Sequence, residues 1–281
     1  GLNQVFGNLI WNSPGQTADV DVNANLEVAG VFTMANTGSR YLRISTSGSY
    51  TLNFGGYTQT GGRLNLAIGG FTCNLNLTGD FNFSGGSFLT SGSGIGNVNF
   101  RGPGVQRFNR TGGNFSNTRL NYTVFSGAVL DMGTSIIDVS GPYVAAGTFT
   151  LNDGGGLMLG DPYGITLSET GLTGGNIRVT GTRSFSEAAD YTYSGIVAQV
   201  TGDGLPANVR NFTTDNPSGV TLTGDLTMTG ILTMLNGNIS VAGNSFVLAN
   251  SNAAALAYTS GTIVGAFERF ISQTSQGYLF P

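Results

Sequence analysis

The sequence predicts an all-β protein, a parallel β-helix (β-solenoid) of short strands with Gly/Asn turns. Three observations carry this. Alternation of apolar and polar residues runs nearly throughout, as in Leu64-Asn65-Leu66, Phe81-Asn82-Phe83, Val98-Asn99-Phe100, Phe149-Thr150-Leu151 and Leu226-Thr227-Met228. Helical periodicity is almost absent, and only Asn252–Ala257 tolerates a helix. The turn signals repeat: Thr60-Gly61-Gly62, Ser84-Gly85-Gly86 and Thr111-Gly112-Gly113 mark successive turns at the short, regular interval of a solenoid. Roughly a dozen coils stacked about 4.8 Å apart would make a rod on the order of 50–60 Å long. Tandem β-sandwich domains, built from the same strands, are the alternative fold.

Composition fits an element meant to pack beside its like. Gly supplies 46 of 281 residues and charged residues only 9%, against about 25% in ordinary globular chains. There is no His and no Lys, so all 11 basic residues are Arg, and the formal net charge is -4. Asn, Thr, Ser and Gly, which form turns and neutral hydrogen bonds, take the place of charge. The mildly acidic balance argues against nucleic acid as a partner, since phosphate binding needs clustered positive charge. No stretch approaches the ~18 apolar residues of a membrane helix, so no membrane insertion is expected. The one cysteine, Cys73, alternates with Leu75 and Leu77 and reads as a small buried hydrophobe.

A longer repeat is superposed on the short one. Asn8-Leu9-Ile10-Trp11-Asn12-Ser13-Pro14-Gly15 resembles Asn211-Phe212-Thr213-Thr214-Asp215-Asn216-Pro217-Ser218-Gly219, and Asn25–Gly30 resembles Asp225–Gly230. The chain therefore reads as one continuous solenoid over 1–281, with 5–30 opening one module and 209–230 the next. No signal peptide is visible, Gly1 is not a natural start and neither end reads as a polar cap, so a longer parent chain or stacking on another copy is expected.

The second half resembles a known style of sequence. Leu159-Gly160-Asp161-Pro162-Tyr163-Gly164-Ile165-Thr166, Gly175–Phe185, Tyr191–Gly195, Ala198–Gly202, Gly204–Ala207, Asn216–Leu222 and Tyr278-Leu279-Phe280-Pro281 are similar to repeat regions of large secreted Bacteroidota surface adhesins and fibre proteins exported by the type IX secretion system. The likeness is best over about 120–281. It implies export, attachment at the cell surface, a β-rich repeat and no catalytic residues.

The residues that carry chemistry are few. Without His there is no hydrolytic triad and no ordinary zinc site, and without Lys no phosphate loop, so the expected function is not enzymatic. A polysaccharide lyase or glycosidase on a β-helix is the enzymatic rival, since stacked coils can bring distant carboxylates together. Asp19 and Asp21 lie two apart on one strand face, with Asn23 continuing the row, and are the calcium candidates; no other cofactor is expected. Arg101, Arg107, Arg110 and Arg119 form the one basic concentration and are candidates for contact with an anionic ligand or a neighbouring subunit. Trp11 reads as core or module-junction packing. Outward rows of Asn and Thr are expected to stack coil on coil into hydrogen-bonded ladders. The functional expectation is a secreted, extracellular or cell-surface structural or adhesive segment that self-associates into fibres. The alternative is a carbohydrate-binding module whose partner is a cell-surface or matrix polysaccharide.

Overall fold

A computed structural model of the chain describes residues 4–116, 119–138, 147–168, 171–273 and 277–281. The protein is a parallel β-solenoid of about ten turns with almost no helix. It comprises two compact units. One is Gly1–Leu130 with Ile137–Thr150 and Val179–Arg183; the other is Asp131–Ile136, Leu151–Arg178 and Ser184–Pro281.

The first unit is built from β1 (Val5–Phe6), β2 (Leu9–Asn12), β3 (Val20–Asp21), β4 (Leu26–Asn36), β5 (Leu42–Ser45), β6 (Tyr50–Gln59), β7 (Arg63–Ile68), β8 (Thr72–Leu77), β9 (Phe81–Phe83), β10 (Ser87–Ser91), β11 (Ile95–Phe100), β12 (Gly104–Arg110), β13 (Asn114–Ser116) and β14 (Leu120–Val124). Strands stack in parallel on those one coil away. One column runs β4, β6, β8, β11, β14, with Leu52 beside Leu75, Leu75 beside Val98 and Val98 beside Tyr122. A second runs β2, β4, β6, β9, β12, and a third β3, β5, β7, β10, β13. β4 and β6 serve two columns because each bends midway at glycine, at Gly30 and at Gly55-Gly56.

Alternation places one residue in two inside the coil, and like stacks on like. Phe32, Tyr57, Phe81 and Phe108 are register partners and form an aromatic column, with Tyr57–Phe81 and Phe81–Phe108 centroids both 5.1 Å apart. Leu26, Leu52, Leu75 and Val98 form an aliphatic one beside it, all buried. Cys73 lies in this interior, as its alternation required.

The Gly-Gly turns are one corner repeated. Backbone bonds tie Ser84 N to Gln59 O, Ser87 N to Gly62 O, Thr111 N to Phe83 O and Asn114 N to Gly86 O. Gly86 has φ of 83° and its α-carbon packs against the Gly62 carbonyl, so a side chain there would be both strained and overlapped.

The second unit repeats the plan with shorter strands. Gly156–Leu159, Asp190–Tyr193, Asn211–Asp215, Leu232–Asn236 and Leu256–Tyr258 form one parallel column. Gln199–Val200, Val220–Thr221, Ile239–Ser240 and Ile263–Val264 form a second. Asn208–Val209, Leu226–Met228, Phe246–Leu248 and Glu268–Arg269 form the third. Asn252–Ala257 yields a single 3-10 turn, Ala253–Ala255, capped by the Asn252 side chain before the chain re-enters a strand. The coils are about ten rather than a dozen. The coil from Phe81 to Phe108 is longer than the one from Tyr57 to Phe81, and between Gly156–Leu159 and Ile177–Arg178 the described residues form no strand.

The module repeat is visible bond by bond. Asn8 Oδ1 accepts from Val31 N at 2.8 Å, and Asn211 Oδ1 from Ile231 N at 2.7 Å. Gly30 N donates to Gly7 O, and Gly230 N to Arg210 O. Asn25 Oδ1 accepts from Thr51 N at 2.8 Å, and Asp225 Oδ1 from Ser245 N at 2.7 Å. Trp11-Asn12 meets Met34 and Asn36, skipping Ala35, just as Thr214-Asp215 meets Met234 and Asn236, skipping Leu235. Thr60 N donates to Met34 O, and Thr259 N to Met234 O. The likeness thus extends over three coils, well beyond the residues that first suggest it.

Candidate functional site

The outward residues of the first column form two asparagine ladders. In one, Asn76 Nδ2 donates to Asn53 Oδ1 at 2.8 Å and Asn99 Nδ2 to Asn76 Oδ1 at 2.9 Å. Two residues along each strand, Asn97 donates to Asn74 at 2.8 Å and Asn121 to Asn97 at 3.0 Å. Parallel in-register stacking puts identical amides one coil apart, where each can give one N–H and accept one. An interior rung therefore keeps a second N–H and further lone-pair capacity. This is the arrangement expected from the outward Asn rows.

Beside the first ladder the surface is concave. Glu27, Val28, Ala29, Asn53, Phe54, Gly55, Asn76, Thr78 and Arg101 line an open groove of about 350 Å3. Its cause lies in the sequence: the chain bends at Gly55, Gly79 and Gly102, and each packs against a carbonyl of the coil before it, Ala29, Gly55 and Thr78 respectively. A row of bare backbone thus borders a wall of amides. Glu27 is the register partner of Asn53, which partners Asn76, which partners Asn99, so Glu27 and the coil of Arg101 are three axial steps apart, about 14 Å. Glu27, Ala29, Asn53, Thr78 and Arg101 are exposed. The Arg101 guanidinium lies 3.8 Å from the centroid of the Phe125 ring, which holds its head at the groove end.

Comparison of the chain with family models, with curated proteins and with solved structures yields no match to any of them.

The four arginines divide between corners and a single strand. Arg101 sits at the corner between β11 and β12 and Arg119 at the corner between β13 and β14. Arg110 ends β12, where it pairs with Asp138 and covers the Phe115 ring at 4.7 Å. Arg107 lies within β12, its N–H held by Asp80 Oδ1 at 2.8 Å.

Asp19 and Asp21 do converge, and what they hold is a side chain. Arg43 Nη1 lies 3.0 Å from Asp19 Oδ2 and its Nε bonds Asp21 Oδ1. The hydrogen bond to Asp21 and the charges of both carboxylates hold the Arg43 pKa above its usual value. Asn23 leaves the row: its φ is 44°, and its Oδ1 accepts from Thr46 N and Ser47 N. Among the described residues no group of three or more acidic or Cys side chains is placed to hold a metal ion.

The aspartates act instead as links between coils and within corners. Asp80, Asp203 and Asp225 each accept a backbone N–H from a distant coil residue, Arg107, Leu167 and Ser245. Asp190 takes a bidentate pair from Arg210 at 2.7 Å and a further bond from Asn211. Trp11 is half-buried with Nε1 3.3 Å from Gln16 Oε1, and lines an apolar hollow with Leu9 and Val22.

Two buried glutamines stand out that sequence reading passed over. Gln106 Oε1 accepts from Gly102 N, and its Nε2 donates to Leu77 O and Gly79 O. Gln199 Oε1 accepts from Gly195 N, and its Nε2 donates to Leu159 O and Asp161 O. Both use a Gly-x-x-x-Gln spacing to close a corner and clasp two carbonyls of the preceding coil. That shared spacing is the signal that could have revealed them.

Proposed function

We propose that the chain is a structural and adhesive segment of an extracellular, cell-surface fibre, a β-solenoid that self-associates. It would belong with the repeat regions of secreted Bacteroidota surface proteins exported by the type IX secretion system, which its second half resembles. The observation that carries the reading is the three-coil module that recurs in the second unit with the same hydrogen bonds, from Asn8 and Asn211 to Asn25 and Asp225. A module that repeats its coil-to-coil contacts adds length without a new fold, because each coil touches only its neighbours. Low charge and neutral amide faces add little repulsion between copies.

Sedimentation of the purified chain over a wide concentration range tests this. Growth of large, elongated species with concentration is expected. A single monomeric species at every concentration would overturn the self-association.

A further inference from the structure

We propose that the groove between Glu27 and Arg101 binds a neutral oligosaccharide laid across successive coils. The inference goes beyond fibre formation and stands whether or not copies assemble.

Three features favour a polyhydroxylated chain. The wall is a row of amides, Asn53 and Asn76, with donor and acceptor capacity left over from the ladder. Sugar hydroxyls both donate and accept, so they match such a row where a purely anionic or purely apolar ligand does not. The floor carries no side chain at Gly55, where the chain packs directly on the Ala29 carbonyl and the surface stays concave. The ends carry one charge of each sign, Glu27 to accept from hydroxyls and Arg101 to donate to them, and together they leave the groove without net charge. The span of about 14 Å suits a short oligomer rather than a monosaccharide. Phe125 beneath Arg101 fixes the guanidinium before the ligand arrives, which lowers the ordering cost of binding.

Calorimetric titration of the full chain with xylotetraose, mannotetraose, cellotetraose and tetragalacturonate tests the site. At least one neutral tetrasaccharide is expected to bind with a Kd below about 1 mM. Thr78→Trp, which fills the groove from an exposed position, and Glu27→Gln, which keeps shape but removes the charge, should each weaken binding about tenfold or more. Asn109→Ala, on another strand face, should leave it unchanged. Circular dichroism confirms that each variant is folded, and the two groove variants are independent of one another. Absence of binding to all neutral probes, binding of tetragalacturonate alone, or affinity indifferent to Thr78→Trp would each overturn the proposal.

Discussion

Replacing Gln199 with Leu isolates the corner clasp. The side chain is 1% exposed and engages four partners: Gly195 N and Asn216 Nδ2 on Oε1, Leu159 O and Asp161 O on Nε2. Leucine is close in volume, so little cavity forms, but these groups lose a partner in a place closed to water. Asn216 keeps Val197 O and so is less affected. At about 0.5–1.5 kcal/mol net for each of four bonds, the loss is about 2–6 kcal/mol. Gln199→Glu discriminates further. A carboxylate can still accept from Gly195 and Asn216 but must face two carbonyl oxygens, so it should destabilise at least as much at neutral pH and less in acid, where the protonated form donates once. Urea titration followed by circular dichroism and by tyrosine fluorescence gives the free energies if the two transitions coincide. A loss below about 1 kcal/mol for Gln199→Leu, or no pH dependence for Gln199→Glu, would refute the clasp as an energetic element.

Gly86 and Gly127 form a matched pair, with φ of 83° and 82°, but only Gly86 packs against a carbonyl while Gly127 faces open space. Gly127→Ala should cost about 1 kcal/mol from backbone strain, and Gly86→Ala about 1–3 kcal/mol more from overlap; equal urea midpoints would contradict this. Asn76→Leu removes two ladder bonds from a half-buried row and should cost about 1–2 kcal/mol, whereas Asn109→Leu, with a single longer bond of 3.3 Å, should cost less. Burial raises the pKa values of Tyr57, Tyr122, Tyr191 and Tyr193 above the ordinary tyrosine value, and pushes the Cys73 thiol up to about 12. Unfolding lets these groups ionise near their ordinary values, so their contribution is intact below about pH 9 and is lost as pH rises beyond it. Urea midpoints should fall as pH is raised from about 8 to about 11, with tyrosinate absorbance from the buried rings appearing only with unfolding. Full tyrosinate absorbance in a folded chain would contradict the burial. Cys73 should stay unlabelled by a thiol reagent at about pH 8 until urea unfolds the chain, and rapid native labelling would show that the coil interior is open.

What could be read from sequence was what repeats locally. Alternation placed Leu64 and Leu66 inside, and Gly61-Gly62, Gly85-Gly86 and Gly112-Gly113 marked one corner three times, because a coil returns to the same geometry at each pass. The Asn ladders followed from the same logic, since in-register stacking places like beside like. Pairings across coils were not legible. Arg43 answers Asp19 and Asp21 from the next coil, and Gln199 reaches back to Leu159 on the coil before its own. No periodicity announces such partners until register is known. The groove was hidden for the same reason: Glu27, Asn53, Asn76 and Arg101 look unrelated in sequence and share a surface only because β4, β6, β8 and β11 stack in register. The arginine concentration divides between corners, at Arg101 and Arg119, and one strand, β12, which carries Arg107 and Arg110.

Whether the chain belongs to a fibre built from stacked coils is decided most directly by electron cryomicroscopy of the native material that contains it. Filaments are expected whose axial spacing is about 4.8 Å, with the three-coil module recurring along them. Discrete particles that do not associate, in which this segment is a solitary domain, would contradict the fibre.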